Sequence, residues 1–296
     1  MKILLSTVFI LISFNGYSLD SICSNKDASS ELSKLIQKTS IESTREKLNK
    51  ILSNKLVLVG EAHYLTDIKY LKDLIQSFSK SHKSESSSCI AFEFSSAYPN
   101  FGSFLKEVDW LIDQLRREFK DIRDTDSRYA EYMETVDYLN NIKSYYGELH
   151  HFAVSKGLKT FTVDHPENNF ANNFDYEKRN ISMAKNLQEL FKFDKCSSIL
   201  YLTGKAHLSS NQGTTNKIQD YLDTNVLDDS ATVNLQMTKE DLLPKQYRTW
   251  DSCAPPHLNF PIILSSDDLI SNFSLVPMAG EPLPLFKDFN FTIMIP

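Results

Sequence analysis

Four short apolar runs punctuate the first two-thirds of the chain, and each ends on ionisable residues. Lys55-Leu56-Val57-Leu58-Val59 leads into Gly60-Glu61-Ala62-His63, and Cys89-Ile90-Ala91-Phe92 leads into Glu93. Thr160-Phe161-Thr162-Val163 leads into Asp164-His165-Pro166, and Ser198-Ile199-Leu200-Tyr201-Leu202-Thr203 into Gly204-Lys205-Ala206-His207. Continuous rather than alternating apolar runs are what strands covered on both faces look like, because neither face meets water. Between the runs the apolar period changes to three and four. Ser29 to Ser53 carries Leu32, Leu35, Ile36, Leu48, Ile51 and Leu52, and Leu65 to Phe78 carries Ile68, Leu71, Leu74, Ile75 and Phe78. Tyr176 to Phe191 is a further helical stretch with Arg179 near its start. Strands alternating with amphipathic helices predict an α/β fold with a mainly parallel central sheet flanked by helices.

Two more helical patterns, Phe104 to Phe119 and Tyr129 to Val154, lie between the second and third runs, joined by the charged stretch Lys120 to Arg128. About fifty residues is more than a crossover needs, so residues 103–155 are expected to form a helical-hairpin insertion, with Gly157 ending its second helix. Tyr129, Tyr132, Tyr138, Tyr145 and Tyr146 fall at helix-packing spacing, and some would line a pocket. Ser79 to Ser88 reads as a solvated loop with His82 an exposed spectator, and His150 and His151 close a helix. After His207 the signal weakens: Ile218 to Leu222 looks helical, Pro244 to Phe260 resembles a loop, and Ala231–Met237, Pro261–Leu264 and Phe291–Ile295 look like strands.

The N-terminus reads as a leader. Met1-Lys2 is followed by the apolar run Ile3 to Phe14 and by Gly16-Tyr17-Ser18, so residues 1–18 are expected to be a signal peptide and 19–296 a single domain. The run is too short for a permanent membrane helix, and Ser21-Ile22 before Cys23 lacks the small residue of a lipobox. The expectation is export to the periplasm or the extracellular space without a stable membrane anchor.

Export makes the four cysteines, Cys23, Cys89, Cys196 and Cys253, readable as disulfides. Three pairings are open. Cys89 and Cys196 each stand just before or at the start of an apolar run, so if those strands are parallel neighbours the two could be bridged, leaving Cys23 with Cys253.

Composition narrows the partners. With 32 basic against 38 acidic residues, a net charge of -6 and no Lys/Arg block, no nucleic-acid partner is expected. Only 8 residues are glycine, and neither a dinucleotide fingerprint nor a phosphate loop is present. A small molecule or a peptide remains as the substrate class, and no oligomeric state follows.

In an open parallel sheet, ligands bind where the carboxyl ends of the strands converge. That edge would gather Glu61, His63, Glu93, Asp164, His165 and His207, which suits acid-base chemistry or a divalent metal. Gly60 and Gly204 would let the backbone turn off the strand beside a histidine. Structural alternatives stand beside these roles. Glu61 would cap the following helix, Asp164 and His165 before Pro166 would form a turn, and Glu93 would form a salt bridge with Arg179.

Leu56-Val57-Leu58-Val59-Gly60-Glu61-Ala62-His63, the strand glutamate Glu93, Arg179-Asn180-Ile181-Ser182-Met183-Ala184 and Gly204-Lys205-Ala206-His207 occur in that order. The set resembles the superfamily that joins erythromycin esterase-like proteins, ChaN-like haem-binding lipoproteins and TraB/Tiki proteins. That pattern is two G-x-x-H motifs, a glutamate and an arginine, here His63, His207, Glu93 and Arg179. A looser likeness falls in Phe286-Lys287-Asp288-Phe289, and Tyr64 stands where the esterase-like pattern carries glycine.

The resemblance implies an α/β sheet with a helical insertion and a site at the strand ends, and two activities. The first is a hydrolase of ester, lactone or peptide bonds. In it His63 would be general base or metal ligand, Glu93 would orient it or activate water, and His207 would be a second base or ligand. Arg179 would stabilise negative charge, Glu61 would belong to the catalytic set, and Asp164, His165 and Tyr64 would contact the ligand. A manganese, cobalt or zinc ion, if bound, would sit on His63, His207 and Glu93. The second is a binding protein for haem or a related apolar ligand, held under the tyrosine-bearing insertion. A third possibility is a member that keeps the fold alone.

Overall fold

A computed structural model describes residues 34–61, 63, 66–83, 87–120, 127–167, 175–209, 216–237, 258, 260–267 and 288–295. The leader, Cys23, Cys253, Tyr64 and most of the 244–260 loop lie outside the described residues.

Helix α1 (Ile41–Leu52) precedes strand β1 (Leu56–Glu61), and α2 (Ile68–Ser81) leads to β2 (Ser88–Ser95). Helices α3 (Phe101–Glu118) and α4 (Ser127–Ser155) lie between β2 and β3 (Lys159–Asp164), and α5 (Tyr176–Lys192) connects to β4 (Ser198–Gly204). The 3-10 turns Lys205–His207 and Ile218–Tyr221 and the short helix α6 (Thr224–Leu227) precede β5 (Ser230–Met237), β6 (Ile262–Ser265) and β7 (Phe291–Ile295).

The seven strands form one sheet in the order β3-β2-β4-β1-β5-β7-β6. All pairings are parallel except that of β6 with β7. The α/β class with a mainly parallel sheet is therefore as expected. Side chains alternate between the two faces, as strand geometry requires. Val57, Val59, Ile90, Phe92, Leu200 and Leu202 pack under α1 to α4. Leu56, Leu58, Ala91, Ile199 and Tyr201 pack under α5, against Met183, Ala184 and Leu187.

Helix starts are set by short polar caps that satisfy otherwise unpaired backbone N–H groups. Asp67 accepts from the N–H of Lys69 at the start of α2, Asn100 from that of Ser103 in α3, and Asp175 from that of Glu177 in α5. These caps explain why α2 begins at Ile68 rather than Leu65, and α3 at Phe101 rather than Phe104. Gly157, at φ 80°, turns the chain out of α4 in the left-handed conformation that a side chain disfavours. His82 corrects the expectation of an exposed spectator. It caps the end of α2 in a buried position, its ring centroid 4.7 Å from that of Phe78. Its apolar contact with the helix it terminates draws it out of the solvated loop that follows.

No helix among the described residues is long and apolar enough to cross a membrane. β2 and β4 are parallel neighbours, with Cys89 level with Ile199. Cys89 is disulfide-bonded to Cys196 at a Cα–Cα distance of 5.7 Å, the pairing expected from the strand starts. The bond closes a sequence separation of 107 residues, so its removal frees a large loop in the unfolded chain. The double replacement Cys89→Ser, Cys196→Ser is expected to lower the unfolding free energy by about 2–5 kcal/mol. Urea unfolding with and without reductant measures this, and the double variant should have lost most of the parent's sensitivity to reductant.

Candidate functional site

Because β3, β2, β4 and β1 are consecutive across the sheet, their carboxyl ends set Asp164, Glu93, Gly204 and Glu61 in a row. Pairing between β2 and β3 runs from Phe92–Thr162 to Ser95–Asp164, so β2 holds one extra residue there. A bulge of this kind bends a strand and re-aims its side chains, and here it falls at Glu93.

Glu93 is the hub. Its Oε2 accepts from the backbone N–H of Gly204 at 2.7 Å and from the Thr203 hydroxyl at 2.8 Å. Its Oε1 meets Nη2 of Arg179 and, at 2.9 Å, Nε2 of His207. Arg179, in the first turn of α5, also reaches Asp164 through Nε at 3.0 Å and Nη2 at 2.7 Å. The expected Glu93–Arg179 salt bridge is thus present, shared with Asp164.

His207, in the 3-10 turn after β4, has its other ring nitrogen, Nδ1, 2.5 Å from Oδ1 of Asn180. The Asn180 amide is fixed in that sense because its Nδ2 donates to the carbonyl of Asn216. Tyr176 stacks on the His207 ring, centroids 4.2 Å apart and planes within 8°.

His63 stands on the other side of Glu93, its Nε2 3.4 Å from Oε2 and its Nδ1 2.9 Å from the hydroxyl of Tyr146. A Cβ at Gly204 would lie 2.8 Å from Nε2 of His63. Gly204 has an ordinary φ of -62°, so what requires glycine there is space for the imidazole. Glu61 does not cap a helix, since Asp67 does so for α2. It lies beneath Tyr146, whose hydroxyl donates to Oε1 at 2.6 Å. The neighbouring Tyr145 hydroxyl is 2.7 Å from the carbonyl of Thr66 and 3.4 Å from Glu61 Oε2.

Asp164 and His165 part company. Asp164 belongs to the Arg179 pair, while also accepting from the backbone N–H of His165 at 2.6 Å. His165 Nδ1 accepts from the N–H of Glu167 at 3.2 Å, so the histidine helps to shape the turn as its structural alternative required. His150 bonds to Thr160.

Exposure divides the cluster. The side chains of Glu61 and Asp164 are 0% exposed, His207 1% and Glu93 7%, whereas Arg179 is 17% and His63 26% exposed. The carboxylates and His207 lie below, and only Arg179 and His63 reach the surface. Burial by itself lowers the pKa of His63, but Glu93 and Glu61 outweigh it and push it up to about 10. For Glu93, burial pulls upward and is overcome by His207, His63 and Arg179, which hold the carboxyl well below its ordinary value. Burial and then Glu61 raise the hydroxyls of Tyr145 and Tyr146. The paired carboxylates thus favour the protonated form of His63.

The expected metal ligands do not fit a metal in this arrangement. Both ring nitrogens of His207 face acceptors, and Arg179 already occupies the carboxylates of Glu93 and Asp164. Among the described residues, no group of three or more His, Cys, Asp or Glu side chains is disposed to hold a metal ion. Two participants escaped the sequence reading, Thr203 and Asn180, and Tyr146 was read there mainly as a packing residue. Asn180 directly follows Arg179, and Tyr146 belongs to a tyrosine pair in α4, which were the available signals.

No protein-family model matches the chain, and no curated protein matches it. Two solved structures resemble it. The type III effector HopBA1 is 11% identical, covering 84% of this chain and 90% of its own, at a TM-score of 0.37. ChaN of Campylobacter jejuni, whose structure concerns cofacial haem binding, is 13% identical, covering 86% of this chain and 92% of its own, at a TM-score of 0.36. At these values the likeness is one of general chain course, and it assigns no role to any residue.

Two outcomes are expected. The pKa of His63 rises from 6.5 to about 10 on folding, so its contribution to stability is complete below about pH 6.5 and lost as pH climbs toward 10. Glu93 acts in the opposite direction: its contribution is present above about pH 4.5 and lost on acidification. Urea unfolding between pH 5.5 and roughly 9.5 should show declining stability on the alkaline side, and His63→Gln should flatten that decline. Gly204→Ala should displace the His63 ring from Glu93 and bring its pKa down, as read by histidine NMR titration.

Proposed function

We propose that the chain is an exported hydrolase acting on an ester, lactone or peptide bond, with His63 as the group that exchanges a proton. The observation that carries this reading is the outward-facing cationic edge of His63 and Arg179 above buried Glu61, Glu93 and Asp164. An acyl oxygen that gains negative charge during attack by water would be stabilised by such an edge, because preorganised cations need no rearrangement as charge develops. His63 would give its proton to the leaving oxygen or nitrogen and recover one from the attacking water, so that acid and base roles alternate within a turnover. Glu93 and Asp164 keep Arg179 in place, while His207, held by Asn180 and Glu93, anchors the hub. Export is supported by the leader-like residues 1–18 and by the Cys89–Cys196 disulfide.

The second reading is a protein that binds haem. Imidazole and phenol groups, which serve as haem-iron ligands, stand together at His63, Tyr145 and Tyr146, and haem binding is the subject of the ChaN structure. In the resting arrangement each of these groups holds its proton, so ligation requires one to be released.

The test is to assay the purified mature chain on chromogenic esters, lactones and peptides. His63→Gln is expected to reduce turnover by roughly a hundredfold or more, and His150→Ala, remote from the hub, to leave it unchanged. Undiminished turnover in His63→Gln would overturn the assignment. Haem titration of the same preparations separates the readings: a Soret shift that depends on His63, without hydrolysis, would select the binding protein.

A further inference from the structure

Tyr146 lies in the middle of α4 and is buried in the larger apolar core. Its ring makes edge contacts with Phe92 and Phe94, at centroid distances of 6.0 and 5.0 Å. A phenylalanine would make those contacts equally well. What phenylalanine would lack is the hydroxyl, which stands closer to the carboxylate and to the imidazole than those two stand to each other. Glu61 Oε1 and His63 Nδ1 are 3.5 Å apart, while the hydroxyl stands 2.6 Å from the one and 2.9 Å from the other.

The polarity of this chain of hydrogen bonds follows from the proton count. A phenol has one proton to donate. The phenol donates to Oε1 of Glu61, so its one proton is spent there and the hydroxyl oxygen is left to accept from His63. Burial and the charge of Glu61 both keep the phenol protonated. Nδ1 of His63 must then carry hydrogen whether the ring is charged or neutral, because the identity of the protonated nitrogen is set by the partner of the other. The groups facing the ring are Glu61 from β1, Glu93 from β2, Gly204 from β4 and Tyr146 from α4, with Arg179 and His207 behind Glu93.

We infer that Tyr146 is a positioning residue: by linking Glu61 to Nδ1 of His63 it assigns all proton exchange to Nε2, the nitrogen at the Gly204 gap. The inference rests on His63 being the acting group in the proposed function. It extends that site from the sheet edge into the inserted helix, so the α4 register sets which nitrogen works.

Side-chain 1H–15N NMR of 15N-histidine-labelled protein tests this without needing turnover. The unmodified chain should show a hydrogen-bonded His63 Nδ1 proton with a nuclear Overhauser contact to the Tyr146 ring, a contact measurable even if a variant fails to fold. Tyr146→Phe should shift the His63 nitrogen signals and broaden or remove that proton, while Tyr145→Phe leaves it in place. On p-nitrophenyl acetate, Tyr146→Phe should cut kcat by about tenfold or more with KM close to the parent value. Absence of the contact in the unmodified chain, or unchanged His63 signals in Tyr146→Phe, would overturn the inference. Absence of turnover on esters, lactones and peptides alike, alongside the expected spectra, would instead refute the hydrolase reading and leave the positioning role standing.

Discussion

Three carboxylates brought together at the ends of neighbouring strands, with little water to solvate them, impose the condition that the rest of the structure meets. Glu61 and Asp164 are fully buried and Glu93 nearly so. Each would cost several kcal/mol as an uncompensated ion. Compensation comes from elsewhere in the chain: Arg179 from α5, Tyr146 from α4, His63 and His207 from the segments after β1 and β4, and the Gly204 N–H from β4 itself. The compensation also pins α4 and α5 in register, since a guanidinium or phenol one turn away would leave a charge unpaired.

The same compensation gives the site its polarity. The carboxylates are sunk below the surface together with His207 and Tyr146, while His63 and Arg179 keep part of their side chains exposed. This differs from a site in which an exposed carboxylate or a neutral histidine waits as a base. It also explains the use of a residue without a side chain at Gly204, where a methyl group would occupy the position beside Nε2 of His63.

The β2–β4 pair is fastened at both ends. Cys89 and Cys196 join the amino ends covalently, and Thr203 and Gly204 bond to Glu93 at the carboxyl ends. The hub of the site is therefore carried on two strands whose relative shift along the sheet is restricted, which suits a cluster whose contacts have little slack.

Much of this was determined locally and was legible in the residues. Runs such as Leu56–Val59 and Ile199–Leu202 mark doubly covered strands, their charged ends mark the edge where the cluster gathers, and the starts of two runs place Cys89 beside Cys196. Helix starts shifted where Ser40, Asp67 and Asn100 supplied caps. Burial, periodicity and capping each depend on residues a few positions apart, so one sequence suffices to read them. Only the tertiary structure decided that β4 enters between β2 and β1, which makes Glu93 the neighbour of both His63 and His207. It alone buried His82, turned Tyr146 from a packing residue into a partner of Glu61, and set beside His63 the carboxylates that raise its pKa. The physical reason is that charge state and hydrogen-bond polarity depend on through-space distances among groups far apart in the chain, and the pattern of apolar positions carries no record of those distances.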